Sequence, residues 1–165
     1  MKFLKPRIET ISEKKLIGKH IKMSFAEDKT VELWRSFMPC RREIENFIGS
    51  DLYSIMQCEP GFFENFKTNV LFKKWVAIEV STFDKVPPEM YTLTLPRGEY
   101  AVFIHKGLVS EADKTYNYIF GTWIPNSNFV LDNRPHFTVM GEKYKNNDPD
   151  SEEEIWIPVN PKMLN

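Results

Sequence analysis

Residues 28–39 read DKTVELWRSFMP and residues 113–125 read DKTYNYIFGTWIP. Both open on Asp-Lys-Thr, carry an aromatic residue near the end and close on proline, the second with one inserted residue. Apolar residues recur at helical spacing in each: Val31, Trp34 and Phe37 or Met38 in the first, Tyr116, Phe120 and Trp123 in the second. Asp28 is a candidate N-cap, and Pro39 predicts a kink or a second short helix, with the spacing resumed at Ile44 and Ile48 before the stop signal Gly49. Pro125 and Asn126 end the second helix.

The flanks repeat as well. Strand-like segments at 6–12 and 14–25 precede the first helix, and segments at 51–58 and 71–83 follow it. In the second half, 90–95 and 99–106 precede, while 136–144 and 154–159 follow, joined by the turn-rich KNNDPDSE. A repeated order of elements beside a repeated helix sequence predicts an α+β fold: duplicated β-α-β-β units, one at about 5–85 and one at about 89–160, within a single domain spanning 1–165. The expected architecture is a pseudo-twofold antiparallel sheet with its helices on one face.

Bulk properties exclude several classes. The 165 residues, 42% hydrophobic and 14% aromatic, suffice for a substantial core. With 22 basic against 23 acidic residues and no Lys/Arg block, no field exists for a polyanion, so direct nucleic-acid binding is not expected. MKFLKPRIETISEKK lacks the apolar core of a signal peptide, and no run approaches the roughly 20 apolar residues of a membrane span. A cytoplasmic protein without membrane contact is expected. Cys40 and Cys58 form no CxxC pair and read as reduced core thiols. Seven glycines form no phosphate loop, and His20, His105 and His136 lack metal-ligand spacing. No GxSxG or HExxH is present. Neither cofactor nor metal is expected, and the common hydrolytic machinery is excluded.

An acidic and aromatic pattern remains. In KKWVAIEV, residues 73–80, strand alternation sets Val76, Ile78 and Val80 on one face and Trp75, Ala77 and Glu79 on the other. In SEEEIWIPV, residues 151–159, it sets Ile155, Ile157 and Val159 against Glu154, Trp156 and Pro158. These strands would line a groove on the sheet face opposite the helices, with Tyr53, Phe137, Tyr144 and Trp123 as further walls. A cation over an aromatic face gains about 0.5 to 2 kcal/mol. A carboxylate at ~4 Å adds on the order of 4 kcal/mol at an effective dielectric of ~20, before desolvation. Such a groove suits an amphipathic cationic or aromatic small molecule. The same pattern also fits core tryptophans beside glutamates on a wet sheet face, and alternation alone leaves both readings open.

YAVFIHKG at 100–107, YIFGTWIPNSNFVLDNRPHF at 118–137 and EIWIPV at 154–159 together resemble the GyrI-like effector-binding domain. KKWVAIEV and the junction PPEMYTLTLPRGEYAVF at 87–103 fit the same pattern. That family also supplies the C-terminal halves of multidrug-responsive AraC-type and MerR-type transcription regulators, and free-standing integron-cassette proteins. The resemblance covers essentially the whole chain and implies a duplicated fold with a ligand groove between its halves. The family's acidic residue before the final Ile-aromatic-Ile-Pro strand falls on Glu154, leaving Glu152 and Glu153 as turn or rim carboxylates. Trp75 and Trp123 fall on positions where the family tends to carry aromatics. Regulators of this kind have a helix-turn-helix region before the domain, whereas here the domain begins almost at residue 1, so no DNA-binding domain of its own is expected. The implied function is small-molecule effector binding. Two alternatives stand beside it: a hydrolase of reactive electrophiles such as cyclopropanoid compounds, with Glu154 as general base, and a protein-interaction module like the gyrase-inhibiting members.

Overall fold

In the computed structural model, which describes residues 5–64, 67–145 and 148–163, period-two patterning yields nine strands and period 3.6 yields two helices. Strands β1 (Arg7–Ile11) and β2 (Lys14–Met23) lead into helix α1 (Thr30–Phe37), which tightens into a 3-10 turn at Met38–Glu43. Strands β3 (Leu52–Gln57), β4 (Phe72–Val80), β5 (Tyr91–Leu95) and β6 (Gly98–Lys106) follow. Helix α2 (Ala112–Tyr118) widens into a π-helical stretch at Ile119–Trp123 and ends in one turn at Ile124–Asn126. Strands β7 (Phe129–Leu131), β8 (His136–Met140) and β9 (Glu152–Pro161) complete the chain.

All neighbouring strands are antiparallel, in the order β1-β6-β9-β8-β3-β4-β2-β5, with β7 added on β9. The order is palindromic about the β3–β8 seam: β2-β4-β3 on one side answers β6-β9-β8 on the other. Each half gives its leading strand away, β1 pairing with β6 and β5 with β2.

The two helices cover one face. Leu33, Phe37 and Ile44 pack on Ile17, Val76, Ile78 and Val80, while Tyr118 and Ile119 pack on Ala101, Phe103, Ile155, Ile157 and Val159. The other face has no helix, yet it is not wet. Leu16, Tyr53, Ile55, Trp75, Leu95, Tyr100, Val102, Phe137 and Trp156 form one buried cluster that also takes in Ile11 and Leu93 from the sheet's two end strands. Burying such a face without a covering layer requires the sheet to curl on itself. Strands covered on both faces explain the near-continuous apolar runs of β6 and β9.

Two local expectations change. Ile44 and Ile48 do not extend the first helix. Beyond Glu43 the chain is extended at Ile44 (φ −78°, ψ 116°), and Asn46 and Gly49 adopt positive φ of 60° and 68°, conformations no right-handed helix contains. Asp28 works one position outside the cap, its Oδ1 accepting the Thr30 N–H at 2.8 Å. The short β7, paired only with β9, has no counterpart among the expected strands. Cys40 and Cys58 are free and half-buried. Among the described residues no helix is long and apolar enough to cross a membrane.

Gly18 sits in β2 between Ala77 of β4 and Tyr91 of β5, and a Cβ there would run into the Val76 carbonyl oxygen and the Ala77 Cα. Glycine is what lets the β4 backbone approach so closely. Gly18→Ala is expected to destabilise by about 1–3 kcal/mol or more. Gly121→Ala, where a Cβ meets nothing within 4 Å, should be neutral or stabilising by up to about 1 kcal/mol. Urea midpoints of the two variants against the parent check both.

Candidate functional site

Each helix lies over the outer strands of its own half, which leaves the seam between β3 and β8 uncovered by either. Between α1 and α2, above that seam, is a cavity of about 780 Å³. Ser54 and Thr138 face each other across the seam and are short, so the floor is low there. Around them stand Met56 of β3, Lys74 of β4, His136 of β8, and Ile155 and Ile157 of β9. The α1 side contributes Met23, Phe25, Asp28, Thr30 and Phe72; the α2 side contributes Asp113, Tyr116, Asn117 and Phe120, with Phe63 and Leu131 also lining the space.

The walls are flat. Phe63 and Phe120 stack at 5.3 Å and 16°, and Phe120 lies nearly parallel to Tyr116 at 6.4 Å and 10°. Phe63 also packs on His136 at 4.7 Å. His105 fixes the start of α2: its Nε2–H donates to the Leu108 carbonyl at 2.9 Å, and its Nδ1 meets Thr115 Oγ1 at 3.0 Å. Tyr116 on the same helix reaches Thr138 Oγ1 at 3.4 Å.

Burial sets the ionisation. The His136 imidazole is pushed down to about 4 by loss of water, with the Arg134 charge acting in the same direction, so it is neutral at pH 7. Burial raises Tyr116 to about 12 and lowers the Lys74 ammonium, the latter opposed by Asp28 and Glu153. The Glu153 carboxyl is raised, again by burial, against the pull of His105 and Lys74.

Six of the eight residues singled out in the sequence share the face away from the helices. Glu154 accepts from Arg7 Nη2 at 2.7 Å and from Trp156 Nε1 at 3.2 Å. Phe137 stacks on Trp156 at 5.3 Å and 16°, and Tyr53 packs on Phe137. Trp75 donates to Gln57 Oε1 at 2.9 Å, and Glu79 pairs with Lys14 at 3.6 Å. Among the described residues these rings pack together on that face rather than lining an open groove: Trp75 is 3% exposed and Phe137 3%. Phe137 and Trp156 border the cavity as well, although their rings belong to the cluster on the other face. Trp123 ends the π-helical stretch after α2 and packs against Phe103 and Phe129. Tyr144 is half-buried, its hydroxyl raised by burial and the charge of Glu153.

The cavity residues Ser54, Met56, Lys74, Asp28, Asp113, Tyr116, Phe120 and Phe63 were not singled out. One signal was available: alternation puts Lys74 on the same face as Val76, Ile78 and Val80, and Glu153 with Ile155 and Ile157, both odd companions for aliphatic residues. The two positions also correspond, since Val76 opposes Ser54 and Ile155 opposes Thr138, and each charged residue lies two positions earlier on its strand.

An antiparallel sheet with two helices and an aromatic-walled cavity between its halves defines a domain built to hold a small molecule. The chain matches the GyrI-like small molecule binding domain over residues 4–160 and belongs to that family. No curated protein matches it in sequence. Among solved structures it is similar to the EcmrR C-terminal domain, with 16% identity over 98% of this chain and 100% of that one (TM-score 0.71). It is similar to SAV2435 bound to tetraphenylphosphonium, with 15% identity over 94% of each chain (TM-score 0.68). A hydrolase encoded by lin2189 from Listeria innocua is similar at 15% identity over 94% of this chain and 92% of that one (TM-score 0.61). At such identities the likeness is one of fold.

The His136 shift carries a pH dependence. A histidine held near 4 in the folded state and at about 6.5 when unfolded is protonated first in the unfolded chain, so stability is complete above about pH 6.5 and is lost as pH falls toward 4. The loss attributable to this group is roughly 3 kcal/mol. His136→Phe should flatten the decline of the urea midpoint between pH 7 and 4 relative to the parent.

Proposed function

We propose that the chain is an effector-binding protein whose ligand, an amphipathic aromatic molecule bearing a positive charge, occupies the cavity between α1 and α2. The observation that supports this most directly concerns the repeated Asp-Lys-Thr. Its two copies stand at the starts of the two helices, and Asp28 and Asp113 from them line the same cavity as the rings of Phe63, Tyr116 and Phe120. A flat aryl body meets flat walls, and its cation meets two carboxylates and aromatic faces. The binding of tetraphenylphosphonium by SAV2435, a protein of the same fold, is in keeping with it.

On this reading charge recognition belongs to Asp28 and Asp113, while Glu154 closes the far face of the sheet with Arg7. The likeness to EcmrR, a protein also solved in complex with DNA, is in keeping with a connection to transcription regulation. We extend the reading to a cytoplasmic, multidrug-type receptor related to the effector domains of AraC-type and MerR-type regulators, acting through a partner rather than by touching DNA itself. A second reading, as a hydrolase, has one observation in its favour: Glu153 is a buried carboxyl with a raised pKa, the property a general acid or base at neutral pH needs.

A thermal-shift titration with tetraphenylphosphonium, a matched neutral aryl compound and a set of electrophiles tests these readings. Saturation at one hundred times Kd stabilises by about 2.7 kcal/mol. Asp28→Asn with Asp113→Asn should weaken cation binding about tenfold or more, and Phe120→Ala should weaken both ligands, while Glu154→Gln leaves binding unchanged. Loss of cation binding in Glu154→Gln alone would move the site to the other face. Consumption of an electrophile that stops in Glu153→Gln would favour the hydrolase.

A further inference from the structure

The cavity has a cation of its own. Lys74 projects from β4 on the helix side, beside Met56 across the β3–β4 ladder, and its neighbours on that side of the strand are Phe72 and Val76. It is half-buried and lines the cavity. Among the described residues its ammonium enters no ion pair and no hydrogen bond. Asp28 and Glu153 act on it only through space.

An ammonium taken from water with no partner is unfavourable, and a residue that merely closed the floor would be apolar, as Phe72 and Val76 are. A lysine offers three donors and no acceptor. The floor beside it adds the hydroxyls of Ser54 and Thr138, and His136 there is neutral. Donors and the Lys74 charge therefore share the floor, where Glu153 acts on Lys74 without lining the cavity, whereas the carboxylates of Asp28 and Asp113 line it at the helix starts.

We propose that Lys74 binds an anionic group of the ligand, a carboxylate, so that the cavity takes a dipolar amphiphile. Its carboxylate rests on Lys74, its aromatic body lies between Phe63, Phe72 and Phe120, and its cationic end points toward Asp28 and Asp113. This rests on the reading that the cavity is the ligand site, and it adds a second charge of opposite sign to that ligand.

Three probes share one fluorescent ring and differ in charge: anthracene-9-carboxylate, 9-anthracenemethanol and 9-(aminomethyl)anthracene. Each is titrated against the parent, Lys74→Met, which keeps the stem and removes the charge, and Lys74→Arg, which restores it. The parent should bind the carboxylate more tightly than the alcohol. Lys74→Met should weaken the carboxylate about tenfold or more and leave the alcohol unchanged, and Lys74→Arg should recover most of the carboxylate affinity. Without ligand, Lys74→Met should unfold at the same or a higher urea concentration, because the cost of burying the ammonium has been removed.

A carboxylate bound no better than the alcohol overturns the proposal while leaving the cavity reading intact. Equal losses for both probes in Lys74→Met, or a large fall in its urea midpoint, make Lys74 structural and overturn it too. Failure of all three probes to bind the parent removes the cavity reading and this inference together.

Discussion

The pairing of β3 with β8 in one register, Ser54 opposite Thr138, is the constraint on which the rest depends. Side chains alternate with a period of two, so this register decides at one stroke what lies on each face of the seam. It sends Tyr53, Ile55, Phe137 and Val139 into the aromatic core and Ser54, Met56, His136 and Thr138 toward the helices. A slip of one residue would drive the rings of Tyr53 and Phe137 into the cavity and leave short polar side chains in the core. The large aromatic area buried on the far face holds the register. The cavity lies over Ser54 and Thr138, the short side chains that face each other at the seam.

Electrostatics in this molecule follow from that division. The far face keeps its charges at the rim, where Arg7 and Glu154 form an ion pair with side chains 44% and 33% exposed, a situation worth at most about 1 kcal/mol. Arg134 is handled differently: its guanidinium lies 4.7 Å over the Tyr100 ring, donates to the Glu99 and Val159 carbonyls and to Asp132, and presses against Gly98. It ties the chain entering β8 to β6 and β9, and its charge helps keep His136 uncharged two residues on. The near face instead carries Asp28, Lys74 and Asp113 around the cavity.

Much of the framework was legible because it rests on local periodicity. The Asp-Lys-Thr repeat located both helices, and alternation in KKWVAIEV and EIWIPV located β4 and β9 with the right residues sharing faces. Alternation divides a strand into two faces but carries no information on which one a helix will cover and which the sheet will close over by curling. That depends on pairings between residues far apart, such as Arg7 with Val102. The aromatic and acidic face therefore read as a groove, although it is packed, and the face with Lys74 read as core. Ile44 and Ile48 kept helical spacing by coincidence, since the chain is already extended at Ile44 and turns at the left-handed Asn46 before Ile48 is reached. β7 is three residues long and too short for a period to register.

The exchanged end strands bear on how the chain reaches this structure. Neither half contains all the strands its own sheet needs: β2 waits for β5 from the second half, and β6 waits for β1 from the first. A half made alone would leave β2 or β6 as an unpaired edge, a template for association with other chains. Order must therefore arrive in both halves together, through pairings that close long loops, and chains of this kind fold slowly for their size. Two similar units are thus interlocked through their end strands, and neither holds a complete sheet by itself.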